Sequence, residues 1–142
     1  MTLSGRKKIF FSSVLLVFLA GCNMESTSYW IGSEQSLTLI RTKPYLWSKE
    51  LLRTITIMSQ PDCTRRYPLP PDGGSGGNLK LYKAAGGGYV MQDGIGQYRI
   101  DMAGCEMRVE GKSSAPGELL GDFEPIPEGG IQFVLAPGVL KN

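Results

Sequence analysis

Hydrophobic and polar residues alternate with a period of two along most of the chain from Ser36 onward. The clearest alternation is Leu51–Ser59 (LLRTITIMS), in which Ile55 and Ile57 lie on one face and threonines on the other. Alternating β-branched residues are typical of half-buried β-strands. No segment repeats its hydrophobic residues at the 3.6-residue period of an amphipathic helix, so the pattern predicts no long helix.

Turn-forming residues divide this pattern into short segments. The chain has 19 Gly and 9 Pro, and pairs such as Asp93-Gly94 suit the tight turns of hairpins. Tyr67–Gly77 (YPLPPDGGSGG) is predicted to be a long loop, since its prolines and glycines exclude a helix or a central strand. We expect an all-β fold: a small antiparallel β-sandwich or barrel of about seven to eight strands. The predicted strands are 36–41, 51–59, 78–84, 89–92, 97–102, 105–110, 118–124 and 131–135.

The N-terminal segment has the features of an export signal. Three cationic residues at positions 6–8 are followed by the apolar stretch Ile9–Ala20. As a helix this stretch reaches about 18 Å, which is short against a hydrocarbon core of about 30 Å. A basic start, a short apolar run and small residues at its end are typical of signal peptides.

The end of this segment, Leu19-Ala20-Gly21-Cys22, resembles the lipobox of bacterial lipoproteins at all four positions. The resemblance covers the export segment alone. It implies that residues 1–21 are a lipoprotein signal peptide and that signal peptidase II cuts before Cys22. It also implies a diacylglycerol on Cys22 and usually an acylated amine, with fatty acids such as palmitate. The alternative is an ordinary secretory signal whose Cys22 joins a disulfide.

The residue after the lipobox bears on location, since Asp there favours the inner membrane in lipoproteins of this kind. Asn23 occupies that position, so the resemblance implies a lipid-anchored outer-membrane protein facing the periplasm. We expect residues 22–35 to be the lipidated Cys and a tether, and residues 36–142 to be a single β domain. Tyr29 and Trp30 could lie at the bilayer interface or pack onto the domain as a first strand, and the sequence leaves both open.

The basic charge of the chain belongs to the signal. Removing residues 1–21 takes away three of the 15 Lys and Arg, which leaves 12 against 13 Asp and Glu and a formal net charge of −1. No strongly cationic surface remains, so we expect no nucleic-acid partner.

Two cysteines remain after Cys22 takes lipid. Cys63 and Cys105 are expected to pair because the exported compartment is oxidising. For a separation of about 42 positions the chain-entropy model predicts a stabilisation of roughly 4 kcal/mol. The alternative is two free thiols, one of them catalytic, although no histidine is present to lower a thiol pKa.

The sequence lacks the residues of common catalytic sites. The absence of histidine excludes Ser-His-Asp and Cys-His acyl transfer. Acidic pairs such as Asp93 with Asp101, or Glu106 with Glu110, could meet in space, and otherwise they lie on solvated turns and strand faces. We predict no catalytic residue, no metal site and no cofactor.

Two segments are candidate binding sites. Arg65 and Arg66 lie beside Cys63, where planar guanidinium groups could bind carboxylate or phosphate, or could be ordinary surface charge. Tyr45 and Trp47 lie in a loop, where they could form an exposed contact patch or cover one end of the β core.

These observations favour a noncatalytic, membrane-anchored periplasmic lipoprotein. We expect its β domain to bind another envelope component, such as a protein or peptidoglycan, while the lipid on Cys22 binds the membrane. One alternative is an inhibitor of an external enzyme such as lysozyme. The other is a carboxylate-dependent hydrolase of the envelope.

Overall fold

The computed structural model describes residues 23–45, 47–73, 77–111 and 116–139. These residues form ten β-strands and no α-helix, so none of them belongs to a helix that could cross a membrane. The strands are β1 (Met24–Ile31), β2 (Gln35–Thr42), β3 (Leu51–Ser59), β4 (Cys63–Asp72), β5 (Leu79–Lys83), β6 (Tyr89–Gln92), β7 (Gln97–Asp101), β8 (Glu106–Glu110), β9 (Glu118–Pro125) and β10 (Ile131–Leu135).

The strands form two antiparallel sheets. The four-stranded sheet has the order β1-β2-β3-β4, and the six-stranded sheet has the order β10-β9-β5-β6-β7-β8. Strand β9 returns to pair with the free edge of β5, and β10 extends the sheet beyond it. The sheet edges are therefore β1 and β4 in one sheet, and β10 and β8 in the other.

One core joins the two sheets. In the four-stranded sheet Leu37 lies opposite Ile57, and Leu39 lies opposite Ile55, so the alternation of both strands falls in register on one buried face. The core residues of the six-stranded sheet include Leu79, Leu81, Met91, Tyr98, Ile100 and Phe123. An all-β fold follows, as the sequence predicted.

Contacts between the sheets define two ends of the domain. At the end where the chain enters β1, called here the Asn23 end, the Glu25 carboxylate accepts a hydrogen bond from the backbone N–H of Gly130, at 3.0 Å. Arg53 and Asp93 form an ion pair of 2.7 Å at this end. The β2–β3 loop and the β6–β7 and β9–β10 turns therefore all lie at the Asn23 end.

The opposite end, called here the disulfide end, is joined covalently. Cys63 at the start of β4 is bonded to Cys105 in the β7–β8 turn, with 6.0 Å between the Cα atoms. The Tyr67 hydroxyl donates a hydrogen bond of 2.6 Å to the backbone oxygen of Cys105. The predicted pairing of Cys63 with Cys105 is confirmed.

The expected number of seven to eight strands is wrong, because the described residues contain ten. One additional strand is β1, which lies in the segment expected as the 22–35 tether and pairs with β2 along its whole length. Of the two possibilities for Tyr29 and Trp30, the structure shows the first strand. Only Asn23 separates Cys22 from this strand.

The other additional strand is β4, within which the expected loop from Tyr67 begins. Its prolines at 68, 70 and 71 are tolerated because β4 is an edge strand, where one side of the backbone has no ladder to maintain. The predicted loop is therefore wrong for residues 67–72, whereas the prediction that this segment is not a central strand is confirmed. The part of the expected loop at residues 74–76 lies outside the described residues.

The alternation of residues 105–110 (CEMRVE) predicts that Cys105, Met107 and Val109 face the core, and for Val109 this prediction is wrong. Val109 lies opposite Tyr98 and so shares its face, yet Val109 is 72% exposed while Tyr98 is fully buried. Strand β8 is the last strand of its sheet, and its inner face therefore extends beyond the part of the core that the other sheet covers.

Candidate functional site

The two arginines predicted as a paired cation site lie on β4. Both are exposed, and they are consecutive residues of an extended strand, so their side chains leave opposite faces of the sheet. In register, Arg65 lies opposite Ile57 of the inner face and Arg66 lies opposite Thr56 of the outer face. None of the ion pairs among the described residues includes either one. The structure does not bring them together as one bidentate site.

The predicted aromatic pair lies in the β2–β3 loop and is exposed. The backbone N–H of Ser48 donates to the oxygen of Tyr45 at 3.0 Å, which closes a turn and brings Tyr45 and Trp47 to the same side. Their rings stack with centroids 5.3 Å apart and planes 10° apart. Tyr45 is 60% exposed and Trp47 80% exposed, so the pair does not cover the end of the core. The exposed pair stays a candidate contact patch.

A groove that the sequence analysis missed lies between the edge strands β1 and β10. It has a volume of about 500 Å³ and is lined by Thr27–Trp30 and Phe133–Leu135. The Tyr29 and Phe133 rings form its floor, with centroids 4.7 Å apart. Trp30 and Val134 flank it and are 50% and 40% exposed. All lining side chains are uncharged.

The floor of the groove depends on a close backbone approach. Gly121 of β9 lies where a Cβ would strike the backbone oxygen of Val134 and come within 2.7 Å of the Phe133 ring. Without a side chain there, the Phe133 ring can pack over β9, where it meets Phe123 edge-on at 4.9 Å. Phe133 is thereby aimed at Tyr29 across the gap between the two sheets.

Tyrosines near the groove remain neutral at ordinary pH. Burial raises the pKa of Tyr29. Burial also raises the pKa of Tyr89, and the nearby Tyr29 phenol raises it further. The groove is therefore an apolar surface with hydroxyl groups and carries no phenolate.

Two buried arginines that the sequence analysis did not select join the sheets at the Asn23 end. The side chains of Arg53 and Asp93 are 3% and 4% exposed. Arg53 also donates two hydrogen bonds to the backbone oxygen of Pro70, at 3.0 and 2.8 Å. Arg41 forms a 2.8 Å ion pair with Glu25. These partners hold both guanidinium groups within the domain, although the buried Nε of Arg41 makes no hydrogen bond.

A buried phenol accompanies this cluster. Burial raises the pKa of Tyr98, the Asp93 carboxylate raises it further, and the Arg53 guanidinium opposes the rise. Asp93 itself accepts two backbone N–H hydrogen bonds of 2.8 Å, from Ile95 and Gly96. Both carboxylate oxygens of Asp93 are therefore engaged, Oδ1 by the turn amides and Oδ2 by the Arg53 guanidinium.

The acidic pairs considered for hydrolysis are not brought together. Glu106 and Glu110 lie four residues apart on β8, which places their backbones about 13 Å apart, more than the roughly 6.5–9.5 Å of an inverting pair. Asp93 precedes the start of β7 and Asp101 is its last residue, so the two lie at opposite ends of the strand. Within the described ranges, no group of three or more His, Cys, Asp or Glu residues could hold a metal ion.

The chain matches no protein-family model, no curated protein and no solved structure.

Proposed function

We propose that the protein is a noncatalytic, lipid-anchored lipoprotein of the cell envelope, whose β domain binds an extended segment of another envelope protein. The lipid on Cys22 holds the protein at the outer membrane, with the domain in the periplasm. The two sheets form a β-sandwich, and the groove between β1 and β10 is the binding site. This groove is the single observation that carries the proposal.

The groove suits a polypeptide because of the strands that flank it. Strands β1 and β10 pair on one side only, so each presents backbone donors and acceptors along its outer edge. Edge strands of this kind bind extended peptides by adding a strand, while neighbouring pockets receive alternate side chains. Aromatic side chains such as Trp30 and Tyr29 are enriched in protein interfaces.

The direction of the two edges defines the geometry of the bound segment. Glu25 contacts Gly130, and further along both strands Tyr29 contacts Phe133, so β1 and β10 run in the same direction. One extended segment can therefore run antiparallel to both edges. The lining strands contribute four and three residues, a length of about 10–13 Å, which holds about four residues of the partner.

Site-specific photocrosslinking in the intact, membrane-anchored protein tests the site. A photoreactive amino acid replaces Val134 at the groove in one variant. In the matched control it replaces Val109, which is more exposed but lies on β8 at the other edge of the same sheet. We expect irradiation of cells to give a discrete protein adduct from position 134 and none from position 109, with the partner identified by mass spectrometry.

Two results would contradict this proposal. Equal labelling from both positions, or no adduct from position 134 in protein shown to be folded, would remove the groove as the binding site. Release of soluble fragments when the purified protein is incubated with peptidoglycan would show catalysis, and the noncatalytic assignment would be wrong.

A further inference from the structure

Exposed apolar side chains of the described residues are concentrated at the Asn23 end. Eight large hydrophobic side chains are exposed in the part of the chain that the structure describes, and five of them lie at this end around the start of β1, the β2–β3 loop, the start of β3 and the β6–β7 turn. The five are Met24 (67% exposed), Tyr45 (60%), Trp47 (80%), Leu52 (47%) and Ile95 (54%). An apolar surface of this kind marks a contact with a partner or a membrane.

The fold, rather than the sequence, brings these residues to one end. Met24 and Leu52 both lie opposite Thr42, on either side of it, so they share one face of the four-stranded sheet. The Tyr45/Trp47 loop leaves β2 directly after Thr42, and the backbone N–H of Lys43 donates to the oxygen of Asn23 at 3.2 Å.

Ile95 joins this end through the buried ion pair. Its backbone N–H is bound to Asp93, whose carboxylate pairs with Arg53, the residue next to Leu52. The six-stranded sheet therefore contributes an exposed apolar residue to the same end as the four-stranded sheet.

The position of this end along the chain bears on what it contacts. Asn23 is one peptide bond from Cys22, the residue that carries lipid in the proposed function, so this inference rests on that proposal. We infer that the Asn23 end is a membrane-contact surface, on which Tyr45 and Trp47 insert into the interfacial layer of the leaflet that holds the acyl chains. Tyr and Trp are the side chains that favour this layer, because their rings are apolar and their polar groups remain hydrated.

The charges at this end indicate apolar insertion rather than electrostatic attraction. An open hollow of about 380 Å³ is lined by Lys43, Ser48 and Lys49 among others, and its ammonium groups suit lipid phosphates. Glu50 and Glu128 are exposed at the same end and balance the two lysines. Contact through the aromatic rings is therefore expected to persist at high salt, where attraction between exposed charges is screened.

The chain contains two tryptophans, which provide a matched pair of probes. Trp47 lies on the proposed contact surface. Trp30 lies six residues along β1 from Met24, which is about 20 Å up the strand, beyond the roughly 5–10 Å of an interfacial layer. Trp30→Phe leaves Trp47 as the single tryptophan, and Trp47→Phe leaves Trp30.

The experiment is fluorescence quenching of the lipidated protein in phosphatidylethanolamine/phosphatidylglycerol vesicles that carry brominated acyl chains. We expect Trp47 to be quenched at least about threefold more than Trp30, because only Trp47 lies within reach of the leaflet. The ratio is expected to be the same at about 0.1 M and about 1 M salt.

Vesicle flotation of the same samples separates the two proposals. Protein that fails to float has no lipid anchor, and both the proposed function and this inference fail. Protein that floats with Trp47 quenched no more than Trp30 keeps its anchor and overturns the contact surface. Preferential quenching of Trp47 that disappears at high salt overturns apolar insertion.

Discussion

The two sheets are joined at both ends of the domain, by a covalent bond at one end and by an ion pair at the other. At the disulfide end, a covalent bond connects Cys63 of β4 to Cys105 of the β7–β8 turn. At the Asn23 end, the Arg53–Asp93 ion pair makes the corresponding connection without a covalent bond, and it is almost fully buried. Both ends hold an edge or a turn of one sheet against the other.

The two connections differ in how strongly their contribution to stability depends on the neighbouring side chains. A disulfide stabilises chiefly by restricting the unfolded chain, so its contribution changes little with the neighbouring side chains. Burial of an ion pair costs desolvation free energy for both ions. Removing one ion leaves the other buried without the attraction that offset this cost. The Asn23 end is therefore the more sensitive to single substitutions, while the disulfide end is sensitive to reduction.

The largest expected effect is the loss of the disulfide. Cys63 and Cys105 are 42 positions apart, so the Cys63→Ser/Cys105→Ser variant is expected to lose roughly 4 kcal/mol of unfolding free energy. Urea unfolding followed by tryptophan fluorescence measures this loss. Reduction of the wild-type protein is the independent control and is expected to lower the transition midpoint similarly. An unchanged midpoint in both would show that the sheets stay joined without the bond.

Breaking the ion pair is expected to have the next largest effect. Arg53→Met leaves Asp93 buried, and the expected loss is about 3 kcal/mol. This is the lower end of the usual range, because Asp93 keeps its hydrogen bonds from the Ile95 and Gly96 amides. The same unfolding assay measures the loss.

The exposed ion pair between Arg99 and Glu110 is the matched control, since its side chains are 45% and 32% exposed. Arg99→Ala is expected to cost less than about 1 kcal/mol. If Arg53→Met cost no more than Arg99→Ala, the Asn23 end would not depend on its buried pair.

Alkaline pH is expected to have a smaller effect that originates in phenols that are partly or fully buried in the folded state. Burial raises the pKa of Tyr29, Tyr89 and Tyr98 above their ordinary value. The folded state then holds these protons at a pH where the unfolded state has released them. The stability is fully present below about pH 10 and is lost as pH rises beyond it.

Thermal unfolding at a series of alkaline pH values measures this loss. Tyr98→Phe removes the phenol beside the Arg53–Asp93 pair, and its Tm is expected to fall less steeply above about pH 10 than that of the wild-type protein. Identical slopes would show that Tyr98 does not contribute to the alkaline loss of stability.

The interior strands and the edge strands β8 and β10 could be predicted from the sequence, whereas the edge strands β1 and β4 could not. Strand β3 alternates cleanly because one face is buried. Strand β1 has partly exposed residues on both faces, and β4 contains three prolines, so neither shows the pattern that burial imposes. Because the missed strands include an edge of the groove, the groove could not be found either.

The alternation of the strands already indicates that the arginines of the two buried ion pairs face the core. Arg53 is in phase with Ile55 and Ile57, and Arg41 is in phase with Leu37 and Leu39, so period two places both arginines on the core face. Their partners could not have been found, because they lie elsewhere along the chain. The exposure of Tyr45 and Trp47 was also undetermined, since aromatic residues in a loop are as suited to covering a core as to contacting a membrane.

The single residue between Cys22 and β1 has a consequence for how a partner is encountered. A long flexible linker would let the domain sample many heights and tilts, and binding would have to remove that freedom. In the proposed lipid-anchored form, Asn23 alone connects the domain to Cys22, which limits the heights and tilts at which the groove can lie above the leaflet. Much of the rotational entropy of association is then lost at anchoring, before any partner arrives.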